Sequence, residues 1–214
     1  MATLFVVRHG EAEGNSSHRF IGHSQMHLTE TGRRQAQALA DRLGELPIER
    51  IVASDLVRCV ETVEPLARRL GLEIETDPRL REVSNGEWTG LLPEEIAERW
   101  PQLWKAYTAG EDVRRPGGEK WRDVAERVLA AVTELLDGPG PVVVSTHSGP
   151  TVILAMWAAG VRHEGNIFRG PFGAPHNASI TVIEAGPRLV SYNDVGHVAS
   201  VPDQRLPFSP VKNP

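Results

Sequence analysis

The chain has 214 residues, 40% of them hydrophobic and 24% charged, which fits one soluble globular domain with a sizeable core and excludes a fibrous or disordered chain. A formal net charge of −5 excludes the basic face of a general nucleic-acid binder, yet a few arginines focused in one cleft can still hold an anionic small molecule. Cys59 is the single cysteine, so no internal disulfide forms, and the lack of a signal-peptide pattern or bilayer-length apolar run makes the cytoplasm the expected setting, with no membrane partner.

Thr3–Val7 is a continuous apolar run without helical period, as in a strand buried on both faces. Thr31–Leu46 puts Ala36, Leu39, Ala40 and Leu43 on one helical face. Arg50–Ser54 reads as a second strand, and Leu56–Leu70 as a helix that stops at Gly71. Leu72–Leu80 is expected to be extended. From Val83 to Lys120 the pattern breaks: glycines, prolines and Trp88, Trp100 and Trp104 interrupt it, with short helices expected at Pro93–Trp100 and Gln102–Ala109. This stretch reads as a cap-like excursion over the site.

Trp121–Leu136 is amphipathic, with Trp121, Val124, Val128 and Leu135 on one side. Val142–Ser145 reads as a buried strand and Thr151–Ala159 as a buried helix. Ser179–Glu184 and Arg188–Tyr192 alternate as a closing strand pair about Gly186-Pro187, and residues 201–214 form a proline-rich, irregular tail. The alternation predicts an α/β three-layer sandwich: one domain over 1–214, with a mixed, mainly parallel sheet and helices on both faces.

In such sheets ligands bind beyond the carboxyl ends of the strands. Arg8-His9-Gly10-Glu11 comes after the first strand, and Ser54-Asp55-Leu56-Val57-Arg58 after the second. Arg81-Glu82 comes after the extended segment, and Thr146-His147-Ser148-Gly149 after the strand at 142–145. Guanidinium groups match a phosphomonoester dianion with paired hydrogen bonds. A neutral imidazole can attack phosphorus and carry the phosphoryl group, and a carboxylic acid can protonate the leaving alkoxide. Glycine beside the nucleophile admits a close approach of backbone to substrate.

Arg8-His9-Gly10-Glu11 with Asn15 resembles the signature of the histidine phosphatase superfamily, which includes cofactor-dependent phosphoglycerate mutases. The resemblance continues through Leu28–Ala36, Ser54–Arg58 with Glu61-Thr62, Leu80–Glu82 and Gly86–Gly90. Pro116–Glu119, Thr146–Gly149, Asn177–Ser179 and Asn193–His197 extend it over nearly the whole chain. It implies a phosphorylated His9, with Arg8, Arg58 and His147 around the phosphoryl oxygens and Glu82 as general acid, then base. Asn15, Gly22 and Ser148 complete the substrate-binding set, and no metal or other cofactor is implied. Ala12 departs from the threonine usual there, which bears on pocket geometry. Mutases of the family carry a longer, basic, proline-containing stretch where this chain has the acidic Gly90–Glu95 segment.

His18, His23 and His27 lack metal-ligand spacing and read as loop histidines near the pocket mouth, His23 being the one within reach of substrate. His163, His176 and His197, the tryptophans and Cys59 read as structural. The expected function is hydrolysis of a small phosphomonoester through phosphohistidine. The alternatives are a phosphoglycerate mutase and, third, a non-catalytic module that binds a phosphorylated ligand.

Overall fold

Apolar residues on both faces of each central strand require a cover on both sides, and the fold meets that need. The computed structural model describes residues 2–15, 17–199 and 201. Among these, strands β1 (Thr3–Arg8), β2 (Arg50–Ala53), β3 (Ile74–Thr76), β4 (Pro141–Thr146), β5 (Ile180–Glu184) and β6 (Arg188–Asp194) form one sheet in the order β3-β2-β4-β1-β5-β6. β1 to β4 pair in parallel, while β5 runs antiparallel to β1 and to β6.

Helices α1 (Glu30–Leu43) and α2 (Val57–Leu70) cover one face. There Val7, Ile51, Ala53 and Val143 pack against Leu39, Leu43, Val63 and Leu66. α5 (Trp121–Asp137) and α6 (Ser148–Ala158) cover the other, where Leu4, Val6, Val142 and Val144 meet Val124, Val128, Val132 and Leu154. Alternate residues of one strand thus feed two cores, and each fully buried Val, Leu or Ile contributes roughly 1.5–3 kcal/mol. This is the expected three-layer α/β arrangement.

Element ends are set by local chemistry. α1 starts at Glu30 because Thr29 Oγ1 accepts from the Gly32 amide at 3.1 Å, and it stops at Leu43, short of the expected Leu46. The extended segment expected over Leu72–Leu80 shrinks to β3. Asp77 caps a 3₁₀ turn over Pro78–Leu80, and Pro78 has no N–H to give a ladder. α6 starts at Ser148 and not at Thr151, since Pro150 lies in its first turn, where no donor is needed.

In the excursion, α3 (Pro93–Arg99) and α4 (Pro101–Ala109) build a third, aromatic cluster. Trp88, Ile96, Tyr107 and Val113 are its buried members, and Phe20 packs into it from the loop after β1. The expected tail lies outside the described residues beyond Val201. Among the described residues no helix is long and apolar enough to cross a membrane.

Candidate active site

The carboxyl ends of β1, β2 and β4 converge, and the backbone of His9 is held from three sides. Its amide donates to the Thr146 carbonyl at 2.9 Å, and its own carbonyl accepts from the Ala178 amide (3.2 Å) and Asn177 Nδ2 (3.0 Å). The Gly10 amide donates to Thr62 Oγ1 of α2 at 2.9 Å. Gly10 is glycine for packing: a Cβ there would sit 2.8 Å from the Gly32 carbonyl oxygen at the start of α1. The glycine beside His9 thus admits a close approach between two backbone segments.

His9 Nδ1 lies 2.7 Å from the Gly10 carbonyl oxygen. A carbonyl only accepts, so Nδ1 carries the proton and Nε2 keeps the lone pair. Burial, then the charges of Arg58 and Arg8, hold the His9 pKa well below its ordinary value. The neutral form, the one able to attack, is therefore the stable one at neutral pH. His147 is depressed in the same way by burial and Arg58.

A cavity of about 220 Å³ is lined by Arg8, His9, Asn15, Gly22, Arg58, Glu82 and Ser148, seven residues singled out by sequence. His147 is placed differently. Fully buried, it does not line the cavity; its ring meets that of His9 edge-on at 5.3 Å, and its Nε2 lies 2.9 Å from Ser54 Oγ. Behind it sits Cys59, whose thiol burial pushes up to about 12, so it stays protonated.

Arg58 donates to the carbonyls of Ser24 (2.8 Å) and Gly22 (2.9 Å), which ties the loop after β1 to α2. Asn15 Oδ1 accepts from the Ala12 amide at 2.6 Å, so Asn15 shapes a turn while it lines the cavity. His23 Nε2 lies 2.7 Å from the Glu82 carbonyl oxygen, and His23 is not among the residues that line the cavity. Arg81, delivered with Glu82, is engaged in an ion pair with Asp55, which holds that carboxyl below its usual range.

Glu82 is fixed at both ends. Its carboxylate accepts from the amides of Val83 (3.0 Å) and Gly149 (3.2 Å). Its backbone is clamped by Arg127 of α5, which donates to the carbonyls of Arg79 (2.7 Å), Arg81 (2.6 Å) and Glu82 (2.8 Å). Arg127 is itself paired with Glu119 at 2.8 Å. Sequence reasoning missed this clamp, because an arginine on the polar face of an amphipathic helix reads as solvated.

A second arginine was also missed. Arg115 is 1% exposed and lines the same cavity. Its guanidinium carbon sits 4.9 Å from the Trp121 ring centroid, 5.7 Å from that of Tyr107 and 5.9 Å from that of Trp88. Nη1 donates to the Glu119 carbonyl at 3.0 Å, and Nε is buried without a partner. Such ring contacts are worth about 0.5–2 kcal/mol each, against a burial cost of several kcal/mol for an unpaired cation.

The profile of the histidine phosphatase superfamily (branch 1) matches residues 4–195. The chain belongs to this superfamily. It is 38% identical over 152 residues to the probable phosphoglycerate mutase GpmB of Cronobacter sakazakii, covering 68% of this chain and 69% of that protein. A mycobacterial glucosyl-3-phosphoglycerate phosphatase superposes with a TM-score of 0.77 at 31% identity, over 89% of this chain and 98% of that one. YhfR of Bacillus stearothermophilus superposes with a TM-score of 0.84 at 29% identity, over 92% and 100%. The resemblance drawn from the motifs is therefore the family itself, and its named relatives include a probable mutase and a phosphatase.

Proposed function

We propose that this chain hydrolyses a small phosphomonoester through a phosphohistidine on His9, with residues 83–120 as the cover of a single-domain enzyme. The observation that carries the reading is the Nδ1 contact to the Gly10 carbonyl. It leaves Nε2 as the nucleophile in a cavity that also holds Arg8, Arg58 and Glu82.

In the first step Nε2 forms a bond to phosphorus as the ester P–O bond breaks, and protonated Glu82 gives its proton to the leaving oxygen. In the second, Glu82 takes a proton from water, whose oxygen attacks phosphorus as the P–N bond breaks. Inorganic phosphate leaves and His9 is restored. Arg8 and Arg58 neutralise the phosphoryl oxygens, Asn15 and Ser148 add neutral donors, and the Gly22 loop completes the wall. His147, its Nε2 engaged by Ser54 and its Nδ1 3.8 Å from Cys59 Sγ, backs the His9 ring from behind the cavity.

Water is favoured over a second substrate as acceptor for two reasons. The cover carries the acidic Pro93-Glu94-Glu95 where mutases are basic, and the superposed glucosyl-3-phosphoglycerate phosphatase matches this chain over 89% of its length. A mutase must shield its phosphohistidine from water while an intermediate turns over. The test is a panel of phosphorylated metabolites assayed for released phosphate, beside interconversion of 3- and 2-phosphoglycerate with bisphosphate primer. Phosphate release from several esters with little interconversion is the expected result. Fast, primer-dependent interconversion with negligible release makes the chain a mutase.

A further inference from the structure

Arg115 has no part in the two transfer steps, yet it is a buried cation on the wall of the reacting cavity. The carboxylates that flank it in the chain, and that of Glu82 on the same cavity, are engaged elsewhere. Asp112 accepts from the amides of Trp121 and Arg122, and Glu119 binds Arg127 and the Ser84 amide. Glu82 binds the Val83 and Gly149 amides. Arg115 is left with one backbone carbonyl, three aromatic rings and a buried Nε with no partner. A guanidinium so placed lacks the anion that ordinarily accompanies it.

We propose that Arg115 receives a second anionic group on the substrate, so that the ester hydrolysed is the phosphate of an acid and not of a neutral alcohol. The proposal deepens the phosphatase reading and rests on it for its orientation. The Arg115 guanidinium lies 4.9 Å from the Trp121 ring centroid, and a Cβ on Gly149 would lie 2.5 Å from both that ring and Glu82 Oε1, so Arg115, Trp121 and Glu82 share one side of the cavity. With Glu82 at the leaving oxygen, Arg115 lies on the leaving-group side of the cavity. Tyr107, Trp121 and Phe168, which line the same wall, strengthen an ion pair formed there by keeping it dry. A carboxylate and a second phosphoryl group offer the same paired acceptors to a guanidinium, and the experiment separates them.

The probes are alkyl phosphates of increasing chain length that end in a carboxylate, a phosphonate or, as the neutral reference, a hydroxyl. In the wild type, kcat/KM for one of the anionic series should exceed that of the hydroxyl series by about tenfold or more at the best length. Arg115→Met should bring the ratio close to unity, and Arg115→Lys should restore part of it. Because the ratio is internal to each protein, a general loss of activity does not mimic the effect. Non-hydrolysable phosphonate analogues, with binding followed by isothermal titration calorimetry, should show the same preference without turnover. That binding arm separates failure of this proposal from failure of the phosphatase reading. A wild-type ratio near unity at every length, or an unchanged ratio in Arg115→Met, overturns the assignment.

Discussion

The Gly149 amide donates to the Glu82 carboxylate at 3.2 Å, and a Cβ on Gly149 would lie 2.5 Å from Glu82 Oε1 and 2.5 Å from the Trp121 ring. The residue after His147-Ser148 therefore sets how closely Glu82, the acid of the proposed mechanism, approaches the β4 end. Gly149→Ala must push Glu82 or Trp121 aside. Turnover of an alkyl phosphate should fall by roughly 10²-fold, the usual cost of displacing a catalytic group by about an ångström. An unaltered rate in a folded variant would show that the site absorbs the methyl group elsewhere.

Glu82→Gln keeps the shape and removes the proton. A general acid matters most when the leaving group is poor, so an alkyl phosphate should lose about 10²–10⁴-fold and p-nitrophenyl phosphate much less. Equal losses on both esters would assign Glu82 to binding.

Brief reaction with a substrate labelled in its phosphoryl group should leave the label on His9, in a bond cleaved by acid and stable to alkali. His9→Ala should abolish labelling and turnover together. Label on a serine or an aspartate would remove His9 from the mechanism.

His9 and His147 carry folded-state pKa values lowered below the ordinary 6.5. The unfolded chain therefore binds more protons than the folded one below that pH. The stability these histidines provide is complete above about pH 6.5 and is lost as pH falls, at up to roughly 1.4 kcal/mol per pH unit for each. Urea midpoints measured from about pH 7 down to pH 5 should decline, and His9→Gln should decline less steeply. A parallel slope in the variant would mean that His9 protonates as readily folded as unfolded.

Much of the site was legible in the sequence because it is written along one dimension. TLFVV and PVVVS read as buried strands, and the residues just past the end of a buried strand in an α/β sheet lie at the ligand-binding edge. His9, Arg58, Glu82 and Ser148 could thus be placed in one neighbourhood before any coordinates. The partners of arginines could not. Arg81, Arg115 and Arg127 look alike in the chain, yet one pairs with Asp55, one sits unpaired among three rings and one clamps the Glu82 backbone. A long side chain reaches several residues' worth of distance in any direction, and only the fold selects that direction. Gly10 gives the same lesson at short range, since its neighbour is Gly32 from a helix whose approach no local pattern encodes.

Phe20, from the loop after His9, packs edge-on against Trp88 at 5.6 Å and against Tyr107 at 6.1 Å. The Phe20 amide and carbonyl also bond Leu91 and Gly90. The excursion, which the proposed function makes the cover of the site, is thus packed around a wedge, a side chain from the loop that follows His9. Under the proposed function, specificity is consequently inherited as a pair of segments. Transplanting 83–120 from a relative of different preference would leave Phe20 facing foreign walls, and a transplant that also brings the donor's counterpart of residues 18–21 would arrive with its own wedge.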